Sequence, residues 1–513
     1  MSTNEPRTYF GWQSEKVNFL FGLTGRRATM IGAAAVIAIW PMAMSRIELA
    51  AVCWPIAAVL VTVSVVRING RTSDEWATAY FSYQLLAWRN QHKFAGTAFT
   101  PVDRAAVEHH RATDADLPGV LAPLTILHAP YAGSAESIAI AFHRLDRTYT
   151  AVARVRFPGI GLIDSIRREQ RVDAWGGLLA GLCTEGNPIT RIQVLQRLLP
   201  ESGAALRRWH TDHLDPAAPT AAVDTTTALL ATASVATSHR DAYIAVTMDT
   251  QRAAHAIKAA GGGTAGAGIV LTRQLRALVP QIAGADLHID QWLAPRDLAE
   301  VLRTAYDPHS QHHIAERRAR ATNPTDDYHG LEPGVDPGAA GPAATEARPD
   351  RYIHDGAHSV TYWIHDWPRN QIHSTALAPI LGEGQYRRAV SLHIEPLPPR
   401  AAERQVMRER TARSVAVRMR HRTGQVVPEH ERVALERAEA QDAERAAGHG
   451  VVRFTAYVTV TVTDPADLDD ACAAIEADAA AARIEIRRMW FAQDTGFACS
   501  ALPLGFGIPK KRW

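Results

Sequence analysis

VVRFTAYVTVTVT, from Val451 to Thr463, is the clearest strand signal in the chain. β-Branched and aromatic residues fill it, with no breaker inside, as a well-packed strand requires. Asp464-Pro465 follows it and fits the opening of a helix that runs to about Ala481. Ile484 to Phe491 reads as the next strand. Upstream, Arg400 to Gly448 is highly charged and helical in composition, broken at Gly424-Gln425-Val426-Val427-Pro428. Two antiparallel helices joined by that turn fit this stretch. Before them, HSVTYWIHDWP (His358 to Pro368) and VSLHIEPL (Val390 to Leu397) alternate as strands do. The last third therefore reads as an α+β pattern, an antiparallel sheet backed by helices.

The middle third is similar in style, as a related half would be. GVLAPLTILHA (Gly119 to Ala129), SIAIAFHRL and TYTAVARVRF (ending at Phe157) are strand-like, the last two joined at Asp146-Arg147. Ile163 to Leu182 reads as an amphipathic helix. ITRIQVLQRLL (Ile189 to Leu199) fits a strand or a helix, and periodicity does not separate them. Ala217 to Ser238 is helical in composition, and AYIAVTM (Ala242 to Met248) is a buried strand. Gly261 to Gly268 is a glycine-rich break. Val270 to Ile282 and Pro295 to Tyr306 read as helices. From His309 to about Arg348 large apolar residues are few while Gly, Pro, Ala and Arg are many, which predicts a flexible linker or long loop.

Near the N-terminus stand two uncharged runs, ATMIGAAAVIAIWPMAM (Ala28 to Met44) and LAAVCWPIAAVLVTVSVV (Leu49 to Val66). Their length predicts two antiparallel transmembrane helices, with Pro41 and Pro55 near the outer ends. Lys16, Arg26 and Arg27 precede the first run, and Arg67, Arg71 and Arg89 follow the second. Only Arg46, beside Glu48, lies between. The positive-inside rule then predicts both termini in the cytoplasm and a multi-pass protein of the cell membrane. Thr72 and Glu75 form a capping-box pattern. The helix it opens carries Trp76, Tyr80, Tyr83 and Trp88, which suits either the membrane surface or the core of the next domain. The expected divisions are a cytoplasmic segment 1–27, a hairpin 28–67, a juxtamembrane helix 72–94, an α+β domain 118–306, a linker 307–349, a second α+β domain 350–505 and a basic tail 506–513.

Charge and motifs narrow the function. Lys and Arg total 55 against 53 Asp and Glu, so no global basic field attracts nucleic acid. Cys53, Cys183, Cys472 and Cys499 are far apart and lack metal-ligand spacing. No Walker A, HExxH or GxSxG pattern occurs. The run GGGTAGAGIVLT lacks a phosphate-binding lysine and reads as a joint before a helix. His309, His312 and His313 cluster inside the expected linker, as do Asp326 and Asp327, and both read as solvated groups. Arg387-Arg388 and Lys510-Lys511-Arg512 read as surface charge. Trp363 and Trp367 read as core. No catalytic, cofactor or metal residue is assigned, and no enzyme activity is expected.

VNFLFGLTGRRATMIGAAA, with Gly22, Leu23, Thr24, Arg26 and Arg27, resembles the start of PrgI-type membrane proteins of conjugation systems. SLHIEPLPPRAAERQV (Ser391 to Val406), the charged helical hairpin and the closing ALPLG (Ala501 to Gly505) resemble the N-terminal, non-ATPase half of CagE/TrbE/TraC-like conjugation ATPases. The resemblance implies a membrane-anchored, non-catalytic subunit of an actinobacterial type IV secretion or conjugation machine. It would contact membrane lipids, join an oligomeric complex and dock a separate P-loop ATPase. A membrane hairpin before a large α+β region also resembles the EccE-type subunit of type VII secretion. A membrane-bound enzyme without a recognisable motif is the third reading.

Overall fold

Helix length decides whether an apolar run spans a bilayer. The computed structural model describes residues 25–44, 46–65, 67–68, 71–96, 115–131, 137–157, 164–200, 209–210, 213–215, 217–233, 238–322, 332–368, 376–382, 384–422, 429–446 and 450–507. Lys16, Gly22, Leu23, Thr24, Asp326, Asp327, the turn 424–428 and Lys510, Lys511 and Arg512 lie outside them. Helix α1 (Gly25–Ala43) and helix α2 (Ala50–Val65) form from the two runs. Helix α2 has 16 residues, and the part of α1 beyond Arg26 and Arg27 is no longer. Each is about 24 Å of helix, against a hydrocarbon core of ~30 Å. Among the described residues, no helix is long and apolar enough to cross a membrane. This corrects the expected transmembrane hairpin. Instead α1 and α2 pack on each other with Ala34, Ala50 and Ala57 buried, and Trp54 Nε1 donates to the Ala38 carbonyl (3.3 Å).

The described residues group into two compact units. One contains α1, α2, a short antiparallel pair β1 (Arg67–Ile68) and β2 (Arg71–Thr72), helix α3 (Ser73–Trp88) and residues 398–451. The other contains residues 90–397 and 452–513.

The larger unit is built on one antiparallel sheet of 13 strands. In chain order its first elements are β3 (Lys93–Ala95), β4 (Leu124–Ala129), β5 (Ile138–His143), β6 (Thr148–Arg156), α4 (Ser165–Leu182), β7 (Ile189–Pro200), α5 (Thr220–Ala233), β8 (Ser238–Asp249), α6 (Ala254–Ala259), α7 (Gly263–Gly284), β9 (His288–Trp292) and α8 (Pro295–Tyr306). Helix α9 (Ser310–Thr322) and a turn lead to β10 (Ala344–Ala347), β11 (Tyr352–His354), β12 (Ala357–Asp366), α10 (Ala378–Leu381) and β13 (Arg387–Pro396). Helices α11 (Pro399–Arg422) and α12 (Glu429–Ala446) belong to the smaller unit. The sheet resumes with β14 (Val452–Val462), α13 (Leu468–Ala481), β15 (Glu485–Arg488) and α14 (Gln493–Ser500).

The strand order is β3-β10-β11-β12-β14-β13-β7-β8-β6-β5-β4, with β15 on β12 and β9 on β6. Outward from the central β7–β13 pair, β8, β6, β5 and β4 on one side match β14, β12, β11 and β10 on the other. β9 and β15 complete the match. The register repeats as well as the order. Thr150 pairs with Thr247 between β6 and β8, hydroxyl to hydroxyl at 3.0 Å. Ser359 pairs with Thr461 between β12 and β14 at 2.7 Å. Two residues beyond Thr150, the Val152 carbonyl accepts from Leu293 N at 2.9 Å; two beyond Ser359, the Thr361 carbonyl accepts from Met489 N at 2.9 Å. Leu195 faces Ser391 across the central pair and is equivalent to it, so a local two-fold axis passes between them.

Three apolar cores hold the layers. Helices α8 and α14 cover one face of the sheet, shared by both halves. On the other face α4 and α7 cover the first half, and α10 and α13 the second. Gly262 caps α7 at φ +74, a backbone state that glycine adopts without a Cβ clash.

The expected linker lies between the halves. Part of it is α9, and part is β10. Buried Arg303 of α8 fastens the rest: it donates to the Gly341 carbonyl (2.7 Å) and pairs with Asp307 (2.9 Å) and Asp355 (3.1 Å). Asp355 Oδ1 in turn accepts from Ala343 N (2.8 Å) and Ala344 N (3.0 Å). Polar ties hold this segment where apolar side chains are few.

Candidate functional site

The sheet face beneath α8 and α14 carries a row of buried polar groups. On β7 the side chains of Arg191, Gln193 and Arg197 point to this face, and on β13 those of Arg387, Ser391, His393 and Glu395. Gln193 Nε2 donates to Ser391 Oγ (2.9 Å) and to the Leu502 carbonyl (2.9 Å), and its Oε1 accepts from Gly505 N (2.7 Å). Arg197 donates to the Val301 carbonyl (3.0 Å) on α8, and the equivalent His393 donates to the Cys499 carbonyl (2.7 Å) on α14. Each half thus tethers its covering helix from the same strand position.

Histidines end β5 and β11 at equivalent places. His143 Nε2 donates to the Val120 carbonyl (3.1 Å), while Asp146 N donates to its Nδ1 (3.1 Å). His354 Nδ1 donates to the Tyr306 carbonyl, so Nε2 accepts from Ser359 (2.7 Å). Burial pulls the pKa of both His354 and His393 down to about 4. Burial pushes the Cys499 thiol up to about 12 and raises the Tyr243 and Tyr457 phenols. Burial also acts to raise Asp241, but the His239 hydrogen bond and the Arg197 and Arg154 charges outweigh it and hold the carboxyl below its usual range. None of these shifts brings a group toward proton exchange near pH 7.

At the edge of this face a cleft of about 810 Å³ opens. Its floor is Thr148, Thr150, Thr190 and Thr247; its walls are the β5–β6 turn Arg144–Arg147, Asp249 to Arg252, the end of β13 at Glu395, Arg453 and the strap Leu504–Gly507. Arg191 fixes one side, donating to Glu395 (2.6 Å) and to the Gly505 carbonyl (2.7 Å). Gly505 stands at φ +62, and a Cβ there would overlap Thr247 Oγ1.

The residues singled out for the membrane reading lie in the smaller unit. Arg26 and Arg27 are in the first turn of α1, Arg67 in β1 and Arg71 in β2, and Arg46 is exposed between α1 and α2. On α3, Trp76 and Tyr83 are half-buried while Tyr80 and Trp88 are exposed. His309 precedes α9, where His312 sits 3.9 Å from Glu316. Arg387 and Arg388 are not surface charge. Arg387 donates to the Thr304 carbonyl (2.9 Å), and buried Arg388 pairs with Asp478 (2.6 Å). The buried row and the cleft were missed because their residues are spread over seven strands. The polar residues alternating in ITRIQVLQRLL were the available signal.

Residues 236–364 match the EccE family, a type VII ESX secretion system translocon. The matched segment covers about a quarter of the chain, from β8 to most of β12. The matched range includes the expected linker, 307–349. No curated protein matches the chain.

The EccE match corrects the resemblance to a PrgI-like hairpin fused to a conjugation-ATPase domain, and with it the type IV assignment. Among the described residues, nothing in the fold or in the match indicates such an ATPase half. The stretches that carried the resemblance have local causes. SLHIEPLPPRAAERQV is the end of β13 running into α11. ALPLG is the strap after α14, whose glycine is required by Thr247.

Proposed function

We propose that this chain is a membrane-associated subunit of a type VII secretion translocon of the EccE kind. The observation that carries the reading is the match over residues 236–364, which spans the joint between the two halves of the sheet. Two features support it. First, α1, α2 and α3 expose Val36, Trp40, Val52, Trp54, Phe81 and Trp88, a surface suited to an apolar environment at the cytoplasmic face of the cell membrane. Second, burial on the polar face of the sheet shifts His354, His393, Cys499, Tyr243 and Tyr457 away from titration near pH 7, which suits a docking component. Its partners are then the other subunits of that machine, a P-loop ATPase among them.

The test is recovery of the tagged full chain from native membranes of cells expressing the whole locus, with mass spectrometry of what accompanies it. Type VII translocon subunits should co-purify. Recovery with a relaxase and a type IV coupling protein, or alone, would overturn the reading.

A further inference from the structure

The two halves share a framework but differ in what lies on it. In the second half, Arg387 ties the end of α8 to α9: it donates to the Thr304 carbonyl in the last turn of α8 and to Gln311 Oε1 in the first turn of α9. The β11–β12 turn there is Asp355-Gly356, and its acid is paired with Arg303 of the covering helix at 3.1 Å. That position is filled and its charges are matched from within.

In the first half the equivalent Arg191 holds the strap at the Gly505 carbonyl (2.7 Å), and the cleft opens beside it. Its turn is longer and carries Arg144 and Arg147, and Arg252 stands on the adjoining wall. The corresponding turn of α14 offers Cys499, Ser500 and Ala501, with no carboxylate. Asp249 and Glu395 at the cleft are already engaged. Asp249 accepts from Gln251 N (2.7 Å) and Arg252 N (3.0 Å). Glu395 takes Arg191 and lies 3.8 Å from Arg453. Among the described residues, the guanidiniums of Arg144, Arg147 and Arg252 have no hydrogen-bond or ion-pair partner.

We propose that this cleft receives an acidic peptide segment of a partner protein. The second half shows what the framework grips, a length of polypeptide presenting oxygen acceptors. The unmatched guanidiniums of the first half select carboxylates, which they bind through paired N–H donors. The volume of about 810 Å³ suits several residues of chain rather than a single small anion.

The experiment is fluorescence anisotropy of the full chain with a labelled eight-residue peptide of alternating Glu and Asp. The controls are its Gln/Asn counterpart and sodium triphosphate as competitor. The acidic peptide should bind, weaken as salt rises, and ignore triphosphate at equal concentration, while the amide peptide should not bind. The exposed triple variant R144S/R147S/R252S should lose at least tenfold in affinity with an unchanged melting curve. The single variant R252E should also lose affinity, so the test does not depend on one protein sample. Equal binding by the triple variant, absence of binding by the native chain, or displacement by triphosphate would each overturn the proposal.

Discussion

Arg191 on β7 and Arg387 on β13 are the same residue of two halves, each donating to a main-chain carbonyl in the last turn of a covering helix or just beyond it (Gly505, 2.7 Å; Thr304, 2.9 Å). The shift that carries Leu195 onto Ser391 carries Arg191 onto Arg387 and Arg197 onto His393. Two lengths of chain with little sequence likeness thus repeat strand order, register and helix tethering.

Arg191→Ala should destabilise the sheet unit. It removes the nearer of two guanidiniums at Glu395 and one donor to the Gly505 carbonyl, both at partly buried sites. Lost charge-assisted bonds of this kind cost about 1.5–3 kcal/mol each before relaxation. The check is urea denaturation, which should show a lower midpoint with an unchanged slope.

Gly505→Ala should destabilise through two causes that can be separated. The left-handed backbone at φ +62 costs an L-residue ~1–2 kcal/mol, whatever the space around it. The overlap with Thr247 Oγ1 adds to that. In G505A/T247A the overlap is removed and the backbone cost remains, so the double variant should be more stable than the sum of the two single losses. Simple additivity in denaturation experiments would count against this packing.

Acid should weaken the fold before carboxylates titrate. His354 and His393 are held near 4 by burial, while an unfolded histidine titrates near 6.5. Between those values the unfolded chain binds more protons, so stability falls as pH falls. Above about 6.5 the two contribute no slope. Below it, each contributes about 1.4 kcal/mol per pH unit until its folded value is reached. Urea midpoints at pH 7.5, 6.0 and 5.0 should trace this decline. The variant H393Q, whose amide can still donate to Cys499, should flatten it by roughly half.

How much of this fold the sequence shows depends on which face a residue occupies. β14 is legible because Val458, Val460 and Val462 enter one apolar core while Tyr457 enters another. β7 is not, because Arg191, Gln193 and Arg197 occupy a buried face and imitate the polar side of a helix. Arg387 and Arg388 read as surface for the same reason. The two apolar runs near the N-terminus signal helices but not the number of residues that become helical. The cleft has no local signature at all, since its arginines and threonines meet only through the register of separated strands.

The joint between the halves supplies the last prediction. Arg303 is buried on α8 with Asp307, Asp355 and the Gly341 carbonyl around it. Replacing it with leucine keeps the apolar stem of the side chain but leaves two carboxylates facing an uncharged neighbour. Breaking a buried pair in this way costs about 3–5 kcal/mol, more than the loss of an exposed ion pair. The damage should be local first, because this one guanidinium fastens the segment that leads from α9 into β10. Limited proteolysis of R303L should therefore cut between Ala339 and Ala344 sooner than in the native chain, while α7, packed in a separate core, stays protected. If instead the first cuts in R303L fall in α7, or if the 339–344 region resists as well as it does in the native protein, then apolar packing of β10 and β11, not Arg303, holds the two halves in one sheet.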